Sequence, residues 1–138
     1  MFDRLGFVRT GRHWTRGELY VEVPSLSLED PAELYDSPPM RFAVIRKEVL
    51  LRDRLVGFKH WAQVAYGRQA VDMLSAFGSR LDMEWLAPQL RREAVTDAFE
   101  ALVALAADPA HVTENVLERV LTRLRGRLIE DAVAGDDE

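Results

Sequence analysis

Residues 40–77 read MRFAVIRKEVLLRDRLVGFKHWAQVAYGRQAVDMLSAF, and their periodicity decides the fold class. Phe42, Ile45 and Val49 lie on neighbouring helical turns, Arg52 and Leu55 continue the row, and Ala43, Val44, Leu50 and Leu51 widen it. The pattern predicts one helix over 40–55 with a broad apolar side. Gly57 is its expected end or bend, and a second helix is expected from Phe58 to Phe77, stopped by Gly78. Its core candidates are Phe58, Trp61, Ala62, Ala65, Tyr66, Val71, Met73 and Leu74.

Upstream, three β-favourable pieces, Gly6 to Thr10, Arg12 to Thr15 and Glu18 to Val23, are separated by Gly11 and by Arg16-Gly17, where chain reversal is cheap. They predict a small antiparallel meander. From Pro24 to Pro39 the pattern dissolves into Ser, Pro and acidic residues, which predicts a long loop with one short turn at Pro31 to Tyr35.

Downstream, Asp82 and Glu84 can start a short turn through Leu86, and Pro88 suits the first position of a third helix reaching Ala107. Leu90, Ala94, Ala98, Leu102 and Leu105 trace its buried side. Asp108-Pro109 ends it, and a last helix capped by Asp108 or Thr113 runs to Val133, before the acidic GDDE. The fold class expected is α+β and mostly helical: a small N-terminal antiparallel meander packed on a bundle of about four helices. Residues 1–111 form the core domain of this reading. Residues 112–138 form a C-terminal helix and tail, either packed on that core or acting as an arm.

A chain of 138 residues holds one ordinary domain, and 48% hydrophobic with 30% charged residues is a composition that folds. With no cysteine there is no disulfide framework, and MFDRLGFVRT lacks the apolar run of a secretion signal, so a cytoplasmic location is expected. Charge interrupts every apolar stretch well short of the roughly 20 residues of a membrane span.

The net charge of −5 is unevenly spread: residues 1–60 carry +1 and residues 61–138 carry −6. Six basic residues fall between Arg41 and Lys59, against only Glu48 and Asp53. Such segregation bears on partners more than on fold.

The residues for known chemistries are missing. His13, His60 and His111 fall in different elements without a metal-ligand spacing, so no metal is expected. No serine has the GxSxG context, and neither GxGxxG nor GxxxxGK[ST] occurs, so no cofactor is expected. Glu93 and Asp97 share a helix face, as carboxylates on a charged helix often do. An enzyme would need a site assembled from dispersed residues, for which His60 is the starting point.

Binding signals are clearer. Leu117, Leu121, Leu124 and Leu128 are spaced 4, 3, 4, a short coiled-coil seam. Trp61 and Trp85 are expected to anchor the core, whereas Trp14, flanked by Arg12 and Arg16 on a short strand, is a candidate binding hot spot. Arg46, Arg54 and Lys59 form the candidate basic face; exchanging Arg46 and Arg54 for Glu is expected to weaken partner binding and leave the fold intact. The expected function is a non-enzymatic adaptor or regulator that binds another protein or itself through the C-terminal helix. One version is a phage-type factor docking on a nucleic-acid machine such as RNA polymerase. Two alternatives use the same residues: an assembly protein of a larger particle, such as a viral connector or tail factor, and a nucleic-acid binder, which the acidic total disfavours.

Overall fold

Gly11 and Gly17 take left-handed backbone at φ +64° and +59°, and at these two points the N-terminal stretch folds back on itself. The result is the expected meander: β1 (Val8–Thr10), β2 (His13–Arg16) and β3 (Leu19–Glu22), antiparallel in that order. Trp14 stands between Arg9 and Val21 on one face, where Phe2 lies 5.2 Å from its ring. The computed structural model describes residues 2–11, 13–22 and 30–135, with side chains throughout except at Glu22, Ser37, Met40, Phe42 and 127–135. Arg12 lies outside the described residues, as do residues 24–29 of the expected acidic loop.

Residues 32–45 depart from the sequence reading. They form a hairpin, β4 (Ala32–Ser37) and β5 (Met40–Ile45), with Tyr35 opposite Phe42 and Glu33 opposite Val44. Pro38-Pro39, joined by a cis peptide bond, makes the turn. MRFAVI satisfies helical and strand templates equally well over so short a run, and its Phe, Val and Ile favour a pleated surface. The proline pair supplies a reversal, and β4 then offers β5 a strand to pair with.

Among the described residues five α-helices follow: α1 (Lys47–Trp61), α2 (Val64–Phe77), α3 (Met83–Arg92), α4 (Thr96–Ala106) and α5 (Glu114–Gly135). Gly57 neither ends nor bends α1 but sits buried within it, because the Tyr66 ring of α2 occupies the space a Cβ would take. The contact is reciprocal: a Cβ on Gly67 of α2 would lie 2.6 Å from the Phe58 ring of α1. The helix break comes at Ala62, left-handed at φ 53°, with the Gln63 N–H donating to the Gly57 carbonyl.

The expected third helix is two. Pro88 lies inside α3, whose N-cap is Asp82, accepting from the Trp85 N–H; the chain breaks at Ala94, left-handed at φ 55°, so that Val95 enters the core. Lys59, only 4% exposed, reaches that break from α1: its ammonium donates to the Ala94 carbonyl at 2.7 Å and pairs with Asp97 at 2.8 Å.

The core is built from helices: Leu51, Leu55 and Phe58 of α1 meet Val71, Leu86, Leu102 and the α5 leucines. Leu117, Leu121 and Leu124 are all buried there, and Thr113 caps α5 by accepting from the Val116 N–H. The side chain of Leu128 lies outside the described residues. Several expected core positions are at the surface instead: Trp61, Ala62, Ala65 and Ala94 are exposed, since the breaks at Ala62 and Ala94 turn these residues outward.

The two interhelical glycines should tolerate no side chain. Gly57→Ala and Gly67→Ala each gain about 1 kcal/mol of helix propensity but force an aromatic ring to move, for a net loss of about 1–3 kcal/mol in thermal or urea unfolding. Gly126→Ala in α5 meets nothing within 4 Å and should instead stabilise by about 0.5–1 kcal/mol.

Candidate functional site

The basic residues between Arg41 and Lys59 do not share one face. Lys59 is spent inside the bundle, and Arg52 bridges Asp30 at 3.1 Å and Asp53 at 2.9 Å. Arg46 pairs with Asp82 at 2.8 Å and approaches Glu48 at 3.6 Å. Arg46 and Arg52 also flank the half-buried Trp85, at 5.7 and 5.9 Å from its ring. These contacts tie the start of α1 to the start of α3.

At the centre of this network Glu48 is a fully buried carboxylate. Burial alone would raise its pKa, but hydrogen bonds from the Asp82 and Glu48 backbone N–H groups and from Lys47 outweigh that and hold it below the ordinary value. The hydrogen bond from Arg46 does the same for Asp82.

Arg54 differs from its neighbours. Its guanidinium lies 4.7 Å over the Tyr66 ring, and among the described residues no carboxylate pairs with it. Tyr66 is itself held by the close approach to Gly57. Two turns further along α1, just before the break at Ala62, the Trp61 side chain stands 71% exposed. Arg54, Trp61 and Tyr66, with Asp53, Val56 and Gln63, line an open cleft of about 460 Å³. A guanidinium, an indole and a phenol on rigid helices are the side chains that most often dominate protein–protein binding energy.

Of the two expected core residues, Tyr66 packs against the core and also lines the cleft, whereas Trp61 stands at the surface. The only sequence signal for the cleft is Trp61 and Arg54 at a spacing of seven, which puts both on one helix face.

The other candidate residues are placed as follows. Trp14 meets the Phe2 ring in a tilted contact and lies under Arg9, while Arg16 covers the Phe7 ring and donates to the Leu5 carbonyl at 2.7 Å. The hairpin Trp–Arg pair is thus engaged within the meander. Leu117, Leu121 and Leu124, the seam residues whose side chains are described, face the core. His60 Nε2 contacts the Glu93 carbonyl at 2.8 Å, and among the described residues no three His, Asp or Glu side chains gather at metal-binding distance. Among them, too, no helix is long and apolar enough to cross a membrane.

The α3–α4 pair, joined by a three-residue turn, has the outline of a helix-turn-helix. Its second helix reads TDAFEALVALA and carries no Lys or Arg with which to meet a phosphate. Comparisons with protein families, with characterised proteins and with solved structures find no match to this chain.

The contacts of Arg46 and Arg54 differ, so the two exchanges to Glu are expected to have different effects on the fold. Arg46→Glu places a third carboxylate beside Glu48 and Asp82 and should lower the melting temperature; Arg54→Glu, with no ion pair to lose, should leave it near wild type.

Acid sensitivity follows from the same network. The stability contributed by Glu48 and Asp82 is complete above the ordinary carboxylate range and is lost as the pH falls through that range to their depressed values. Urea unfolding across that range should show a shallower acid limb in Glu48→Gln than in the wild type.

Proposed function

We propose that this chain is a non-enzymatic protein-binding adaptor or regulator, and that it docks through the Arg54–Trp61–Tyr66 cleft. The observation that supports this most is the 71% exposure of Trp61 at the end of a helix whose Val49, Leu51, Leu55 and Phe58 are buried. An indole in water forgoes about 2 kcal/mol or more of burial free energy, which a partner covering it would recover. The cleft is held by core packing, so little ordering entropy is lost on docking. The intramolecular pairs of Arg46, Arg52 and Lys59 count against a nucleic-acid surface on α1. A cytoplasmic setting belongs to the same proposal, as does the narrower version in which the partner is part of a transcription complex.

Capture from an extract of the cells that make the protein tests this reading. The full chain should recover a defined partner, Trp61→Ala should recover at least about tenfold less, and Val103→Ala, on a different exposed face, should recover it normally. Recovery that ignores Trp61 would reject the docking face. A native mass corresponding to a closed ring of many copies would favour the assembly-protein reading instead.

A further inference from the structure

The geometry of this cleft also points to the chemistry of what it binds, an inference that rests on the docking role just proposed. We infer that the partner is a protein segment presenting a carboxylate to Arg54 and a large apolar side chain to Trp61, the two about 10 Å apart.

Arg54 carries the one charge in the cleft that no described side chain neutralises: Asp53, the other charged residue lining it, is already paired with Arg52. The guanidinium lies 4.7 Å over the Tyr66 ring, and among the described residues no carboxylate pairs with it. The contact with the ring restricts the guanidinium in advance, which suits carboxylate recognition and reduces the entropy lost on pairing.

A phosphate fits less well. Phosphate-reading sites gather several Arg or Lys, whereas here a single guanidinium stands near the Asp53 carboxylate, which would repel a dianion. The net charge of −5 does not prevent docking of an acidic segment, because at physiological ionic strength charges beyond about 8 Å are largely screened and the local guanidinium decides.

The spacing follows from α1. Residues 54 and 61 are two helical turns apart, about 10 Å along the axis. An extended partner covers that distance in about three residues, and a helical partner in about seven. The recognised feature is therefore an Asp or Glu and a Phe, Leu or Trp at one of these two spacings.

Selection from phage-displayed random linear peptides on the immobilised full chain tests the inference. Enriched sequences should carry an acidic residue at one of these spacings from a large apolar one, and should bind about tenfold or more weakly to Arg54→Gln and to Trp61→Ala. Exchanging the selected Asp or Glu for Asn or Gln should weaken binding to the wild type by a similar factor. A second selection on Arg54→Glu should bring up Lys or Arg in place of the acid. Peptides that need Trp61 but show no acidic preference, or that bind Arg54→Gln unchanged, would overturn the inference and leave the docking role standing. Peptides indifferent to Trp61 would overturn both. Tighter binding of a phosphorylated version of the selected peptide than of its Asp or Glu form would overturn the carboxylate assignment, and a dimer of this chain that dissociates on Trp61→Ala would replace the partner segment with a second copy.

Discussion

Gly57 under the Tyr66 ring and Gly67 under the Phe58 ring set how closely α1 and α2 can lie, and each contact requires the other helix at that distance. A side chain on either glycine would push the helices apart by more than a packed core absorbs, since interiors are about as dense as organic crystals. At this spacing Leu51, Leu55, Val71 and Leu74 share one core with the buried side of α5. The same contact positions the surface: Tyr66 is oriented by Gly57, Arg54 stacks on Tyr66, and the chain reverses at Ala62, leaving Trp61 outside.

Charged groups fasten this frame to the rest of the bundle. Lys59 holds the α3–α4 break through the Ala94 carbonyl and Asp97, and Arg46 with Glu48 holds the start of α3 through Asp82. Buried pairs add little net stability over apolar residues of the same size, but losing one partner strands the other charge. They also engage Arg46, Arg52 and Lys59 of the basic run within the chain itself. Arg54 lies over Tyr66 instead, and among the described residues no carboxylate forms an ion pair with it.

The meander was legible because Gly11 and Gly17 mark its turns locally, and the last helix because its leucines repeat at helical spacing. Residues 32–45 were misread because six residues, MRFAVI, are too few to separate a helical period from a strand period, and the strand β5 pairs with lies in a stretch of loop-like composition. Gly57 carries the sequence mark of a helix end, but its role is set by a ring nine residues away, which no local pattern contains. The breaks at Ala62 and Ala94 bear no Gly or Asn, the usual residues at left-handed positions. With the turn at Ala62 unseen, Trp61 is assigned to the core and the cleft it lines is not read from the sequence.

The account therefore depends on Trp61 lying outside a bundle closed by the two glycine contacts. Acrylamide quenching and emission of Trp61, measured in the folded chain with Trp14 and Trp85 replaced by Phe, test that most directly. The expected result is red-shifted emission and quenching near that of a free indole, both before and after unfolding. Blue-shifted, protected emission that changes only on unfolding would place Trp61 in the core and contradict both the helix packing and the docking cleft.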